Sequence, residues 1–96
     1  MTGKQRSYLK GLANGLSPVV SIGTAGLTDN VVKSIDEYLT VHELIKVSMQ
    51  QGVELDAKEV CNEIADRLHA DFVQAVGRRF VLYRQARDPK NRKIEL

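Results

Sequence analysis

Four residues, Gly23-Thr24-Ala25-Gly26, stand between a short β-branched run and a segment that opens like a helix. Glycines at both ends let the backbone approach a ligand closely and adopt positive φ without a Cβ clash. A helix starting behind them would add free N–H groups and the positive end of its dipole. That combination suits a phosphate. A Gly-x-x-Gly loop clamping backbone nucleotides is the device of one class of single-strand RNA readers. The same four residues also make an ordinary tight turn, and seven glycines in 96 residues make a chance Gly-x-x-Gly easy to find. The position between strand and helix is what gives this one weight.

The second set of chemically capable residues is basic. Lys4, Arg6 and Lys10 lie near the start of the chain. Arg78 and Arg79 follow a glycine late in it, and Arg84, Arg87, Lys90, Arg92 and Lys93 come after. Guanidinium groups pair with phosphate bidentately. The net charge of +2 hides a segregation. Residues 1–28 carry +3 and no acid, residues 29–77 carry −6, and residues 78–96 carry +5. A chain with basic ends and an acidic middle points to a polyanion partner if the ends meet in space. The plainer alternative is a solvated surface with a solubilising tail. Tyr8, Tyr38, Tyr83, Phe72 and Phe80 are too few and too scattered to form a base-stacking platform, so shape and backbone recognition is expected rather than sequence reading.

Catalysis finds little support. There is no His-x-x-Glu-His, Cys-x-x-Cys or Gly-x-Ser-x-Gly pattern. His42 and His69 are far apart and read as edge residues rather than metal ligands. Cys61 falls on an apolar helical stripe and reads as core. Asp36, Glu37, Glu59, Glu63 and Asp66 have the spacing of solvated helix faces. No enzyme activity, cofactor, metal or small-molecule substrate is expected. A single cysteine excludes an internal disulfide. The longest apolar runs are about four residues, and Met-Thr-Gly-Lys-Gln-Arg at the start has no apolar stretch, so neither a membrane span nor a signal peptide is expected. A cytoplasmic monomer is the default.

The elements that must position these residues read as α-β-α-β-α-β-β. Thr2 with Gln5 forms a capping box. Tyr8, Leu9, Leu12, Ala13 and Leu16 then share one helical arc, opposite Arg6, Ser7, Lys10 and Asn14, and Gly15 with Pro18 closes the helix. Residues 18–22 read as a strand. Thr28 caps a second helix with Asp29 in its first turn and Val31, Val32, Ile35 and Leu39 on its apolar stripe. Residues 42–49 form a strand whose Ile45, Val47 and Met49 face one way and Leu44, Lys46 and Ser48 the other. Asp56 with Glu59 suggests another capping box, before a helix with Val60, Cys61, Ile64, Ala65 and Leu68 inward. Residues 71–76 and 80–84 make a hairpin turning at Gly77-Arg78-Arg79. The polar tail from about Gln85 is expected to be loosely ordered. The fold class is α/β, a four-stranded mixed sheet packed with three helices in one domain spanning 1–96.

Several of these segments, in order, resemble the CRM domain (chloroplast RNA splicing and ribosome maturation) of YhbY type. They are Thr2-Gly3-Lys4-Gln5 opening a helix with Leu9, Leu12 and Ala13; Pro18-Val19-Val20; and Ile22-Gly23-x-x-Gly26-Leu27-Thr28. Glu43-Leu44-Ile45-Lys46-Val47, Val76-Gly77-Arg78 and Val81-Leu82-Tyr83-Arg84 continue the pattern. The resemblance implies an RNA-binding domain with a KH-like GxxG loop and a fold similar to the C-terminal domain of translation initiation factor three. It also implies association with precursors of the large ribosomal subunit. The loop role falls on Gly23, Thr24, Ala25 and Gly26, and basic family positions fall on Lys4 and Arg78 to Arg84. Many relatives place a basic or polar residue between the glycines. Thr24-Ala25 here shifts the work to backbone N–H groups and the Thr24 hydroxyl. An architectural DNA-binding protein and a ribosome-associated protein-interaction module are the competing readings.

Overall fold

The computed structural model describes residues 1–96. Its order is α1 (Gly3–Asn14), β1 (Val20–Ile22), α2 (Asp29–His42), β2 (Leu44–Met49), α3 (Ala57–Leu68), β3 (Asp71–Val76), β4 (Arg79–Tyr83) and a short 3-10 turn, Pro89–Asn91. The sheet runs β1-β2-β4-β3. β1 and β2 are parallel, and β4 is antiparallel to both β2 and β3. This is the expected mixed sheet with three helices.

Strand alternation splits the core in two. Ile22, Ile45, Val47, Met49, Phe80 and Leu82 face α2 and α3, which contribute Ile35, Leu39, Val60, Cys61 and Ile64. Leu44, Val73, Val81 and Tyr83 face the other way, onto Leu9 and Ala13 of α1. A period-two strand buried on both faces reads as nearly continuous apolar sequence, and β4 does so from Phe80 to Tyr83. The helices therefore sandwich the sheet, with α1 alone on its side.

The capping box at α1 is present: Gln5 N donates to Thr2 Oγ1 and Thr2 N to Gln5 Oε1. Thr28 Oγ1 accepts from Val31 N as expected. Asp56 caps α3 through Lys58 N, but Glu59 makes no reciprocal bond. The β3–β4 turn closes with Val76 opposite Arg79, leaving Gly77 and Arg78 between them. Gly77 takes φ +59, the left-handed geometry that primed hairpin turns require.

Besides the missing Glu59 bond, β4 spans Arg79–Tyr83 rather than 80–84, because Arg79 pairs with both Ser48 and Val76, and four larger expectations change. α1 buries a narrower stripe than its arc suggests: Leu9 and Ala13 are inside, while Tyr8, Leu12 and Leu16 remain exposed. The helix meets a flat sheet along one line, and the flanks of a five-residue arc stay in water. β1 begins at Val20 rather than Pro18, although Val19 N already donates to Lys46 O. α2 continues to His42, so β2 starts at Leu44, with the chain reversing at Glu43 in the positive-φ region, φ 67. Finally, the tail is held rather than loose. Glu43, with 0% exposure, accepts from Ala86 N through Oε2 and from Lys93 N and Ile94 N through Oε1. Ala86 is buried, and Ile94 packs against the α1-side core. One buried carboxylate thus straps residues 86–94 onto the start of β2.

Candidate nucleic-acid interface

Strand directions decide which candidates meet. β1 ends at Ile22 and β2 at Met49, side by side. β4 begins opposite that same end, with Arg79 paired to Ser48, and Met49 N donates to Arg78 O. The Gly23–Gly26 loop and the Gly77–Arg78 turn therefore share one edge of the molecule, separated by β2. Two strand spacings put them about 10 Å apart. Arg78 and Arg79 are both exposed there.

The loop itself is a compact turn. Gly26 N donates to Gly23 O at 3.0 Å, and Thr28 N to Gly26 O at 3.0 Å. Gly26 has φ +73, so its glycine is required by conformation. Gly23 is not in that region; a Cβ there would meet the Gln50 side-chain oxygen at 3.2 Å. Thr24 and Ala25 are exposed, and their N–H groups have no acceptor within the chain. Consecutive free N–H groups in a turn form a concave anion seat. The helix behind contributes less than its position suggests. Thr28 Oγ1 already serves Val31 N, and the Asp29 carboxylate sits in the first turn. The donors available to a phosphate are those of the loop, with acids at the α2 and α3 N-termini behind it.

Other candidates lie elsewhere. α1 starts at the opposite end: Arg6 Nε donates to Phe72 O, near the start of β3, and Met1 and Gln5 line a groove with Tyr83, Ile94 and Leu96. Lys4 is exposed at that far end with Arg87, Lys90 and Lys93, which are held there by the strap. A six-residue strand separates the two ends by about 17–20 Å. Only Lys10, exposed on α1 one turn before Asn14, approaches the loop end. The expectation that both basic ends of the chain share one surface with the Gly23–Gly26 loop is corrected by this topology: the two ends meet each other, but at the far end. β3 and β4 bring the hairpin to the loop, and the strap draws the C-terminus away.

Arg84 is committed to the fold. Its Nη1 donates to Asp36 Oδ1 at 2.7 Å and Leu68 O at 2.9 Å, and its Nη2 to Asp36 O and Thr40 Oγ1. The side chain is 20% exposed. It ties the C-terminal parts of α2 and α3 together at the far end, where Arg6 is anchored by one bond, Nε to Phe72 O. Strand alternation marks Lys46 only by the face it points to, yet its Nζ donates to Ala13 O and Leu16 O, satisfying the open C-terminus of α1. Glu43, Lys46 and the Arg84 bracket give no sequence signal, because each partner is 30 or more residues away or is a backbone atom.

The remaining reactive groups are quiet. Burial pushes the Cys61 thiol up to about 12, far from thiolate character at neutral pH. His42 stacks on Tyr38 with ring centroids 4.3 Å apart, and His69 forms the left-handed cap of α3. No helix is long and apolar enough to cross a membrane.

Fold and site together define a small α/β sandwich that presents a backbone-donor loop and two free arginines at one end of its sheet. The profile of the CRS1 / YhbY (CRM) domain matches residues 1–84, and the chain belongs to that family. It is 38% identical over 96 residues to the Bacillus subtilis protein named Probable RNA-binding protein YqeI, covering 100% of this chain and 98% of the relative. A protein of Haemophilus influenzae, named RNA-binding protein, is 42% identical over 88 residues, 91% of this chain and 88% of the relative. The solution structure of SAV1595 from Staphylococcus aureus superposes with a TM-score of 0.81 at 35% identity, covering 99% of both chains.

Proposed function

We propose that this chain is a non-catalytic RNA-binding protein that acts on precursors of the large ribosomal subunit. In this reading phosphates seat on the Gly23–Gly26 loop and on Arg78 and Arg79. The observation that carries it is the convergence of the unpaired Thr24 and Ala25 N–H groups with two unpaired guanidinium groups at one sheet end. The names of the relatives support RNA as the polyanion. The assembly role rests on the family resemblance.

Cross-linking to RNA in cells, with sequencing of the bound fragments, tests the reading. Fragments clustered on precursor large-subunit rRNA are expected. Fragments spread in proportion to RNA abundance contradict the assembly role. Preference for duplex DNA over structured RNA at matched salt contradicts RNA as the partner. In vitro, Gly23→Asp is the sharper loop variant, because Gly23 has ordinary φ and Gln50 is a flexible surface side chain that can swing aside. It places a carboxylate in the anion seat. Loss of RNA binding with a native circular dichroism spectrum is expected, and wild-type affinity would remove the loop from the interface.

A further inference from the structure

α1 covers only part of its side of the sheet. Toward the loop end the face is left open. The row Ser21–Ser48–Arg79–Val76 crosses all four strands in register, and the adjoining row holds Lys46, Val81 and Gln74. Val76 is 69% exposed on this face, unusual for a β-branched strand residue in a small domain. Asn14, the last residue of α1, overhangs it. Together Asn14, Lys46, Gln74, Val76, Arg79 and Val81 line a groove of about 260 Å³. Lys46 is spoken for by the α1 carbonyls. The Asn14 and Gln74 amides and the Arg79 guanidinium have no partner within the chain.

Two free amides lining one groove offer both donors and acceptors, the groups that pair with base edges. A guanidinium plane stacks on a base and also holds a phosphate. Valine side chains at the floor and rim give an apolar surface for the base face. From Arg79 the polar row leads through Ser48 to Ser21, two residues before Gly23, where the anion seat begins. We infer that this groove is a nucleobase subsite. It takes one unstacked base of an RNA strand whose backbone is seated on the Gly23–Gly26 loop, with Asn14 and Gln74 reading the base edge and Arg79 stacking or bracing it. The inference rests on the RNA reading above and extends it from backbone recognition to discrimination at one nucleotide position.

The test uses hairpin RNAs sharing one stem, with loops of A, C or U, titrated into the full chain and into Asn14→Ala/Gln74→Ala. Both substituted positions keep the buried core intact, and a thermal melt verifies folding. The wild type is expected to prefer one loop by about tenfold, the scale of one well-made amide–base pair. The double variant is expected to bind all three at the level of the poorest. Arg79→Lys, which keeps the charge and loses the plane, is expected to lower affinity for the preferred loop more than for the others. Equal wild-type affinity for all three loops overturns the subsite and leaves the RNA reading standing. So does discrimination that survives the double substitution. Failure of every hairpin to bind overturns both.

Discussion

Glu43 is the one charged residue buried in this fold. Burial alone would raise its carboxyl pKa. The backbone N–H groups of Ala86, Lys93 and Ile94, with Arg92 nearby, outweigh burial and hold it below its ordinary value of 4.5. A depressed folded pKa means stabilisation that is complete above the unfolded value and lost as pH falls through the folded one. The thermal midpoint is therefore expected to fall with acidification below about pH 4.5, more steeply than in Glu43→Gln, whose acid limb is shallower. At neutral pH the same variant should lose about 2–3 kcal/mol in denaturant titration, because an amide presents one acceptor oxygen to three donors. Arg84 predicts a parallel loss of stability. Arg84→Lys should destabilise by about 2 kcal/mol, since a single ammonium cannot reach four acceptors spread over Asp36, Thr40 and Leu68. RNA affinity of the folded variant should be unchanged; a selective loss of affinity would return Arg84 to the interface.

At the scale of elements, the Gly23–Gly26 loop separates two jobs that the spacing alone merges. Gly26 serves conformation, and in the proposed reading Gly23 serves access. Gly26→Ala puts a Cβ on a φ of +73 and should cost about 1–2 kcal/mol by thermal melt, with RNA binding retained in the folded protein. Gly23→Asp should do the reverse. Helix and strand identities were legible because they rest on local signals: hydroxyl caps at Thr2 and Thr28, apolar spacing in α2 and α3, and alternation in β2. The β2 boundary was not, because Val41 and His42 extend a helix that ends only where Glu43 reverses the chain and is buried by tertiary contacts. The strap was hidden for a related reason. Arg87 to Lys93 looks like a solvated tail until the carboxylate 43 residues before Ala86 is placed beneath it. Tyr8, Leu12 and Leu16 show the converse, since an arc marks what a helix could bury and the partner surface decides how much it does.

For the whole molecule, the charge pattern changes meaning once the topology is known. The segregation along the chain is real, but the fold gathers Lys4 and the C-terminal bases at the end of the sheet opposite the Gly23–Gly26 loop. Arg78 and Arg79 sit beside the loop, while Lys4, Arg87, Lys90 and Lys93 lie about 17–20 Å away along the strands. Each phosphate that a basic side chain no longer neutralises should reduce the slope of log K against log salt by about 0.7 for a single strand. Arg78→Ala/Arg79→Ala is therefore expected to lower it by about 1.4, and Lys4→Ala to leave it unchanged. The candidate site was half legible: the loop and the hairpin arginines could be named from their motifs, whereas Arg84 is spent on a carboxylate, a hydroxyl and backbone carbonyls, and Arg6 is pinned at the far end by the Phe72 carbonyl, partners that no spacing reveals. The central claim is that RNA meets this protein at the loop end of the sheet. Backbone amide shifts recorded while a hairpin RNA is titrated into the labelled chain test it most directly. The largest changes are expected at Gly23 to Gly26 and Val76 to Arg79, with Lys90 to Leu96 nearly still. Changes concentrated at Met1 to Lys4 and along the strap, with a silent loop, would contradict it.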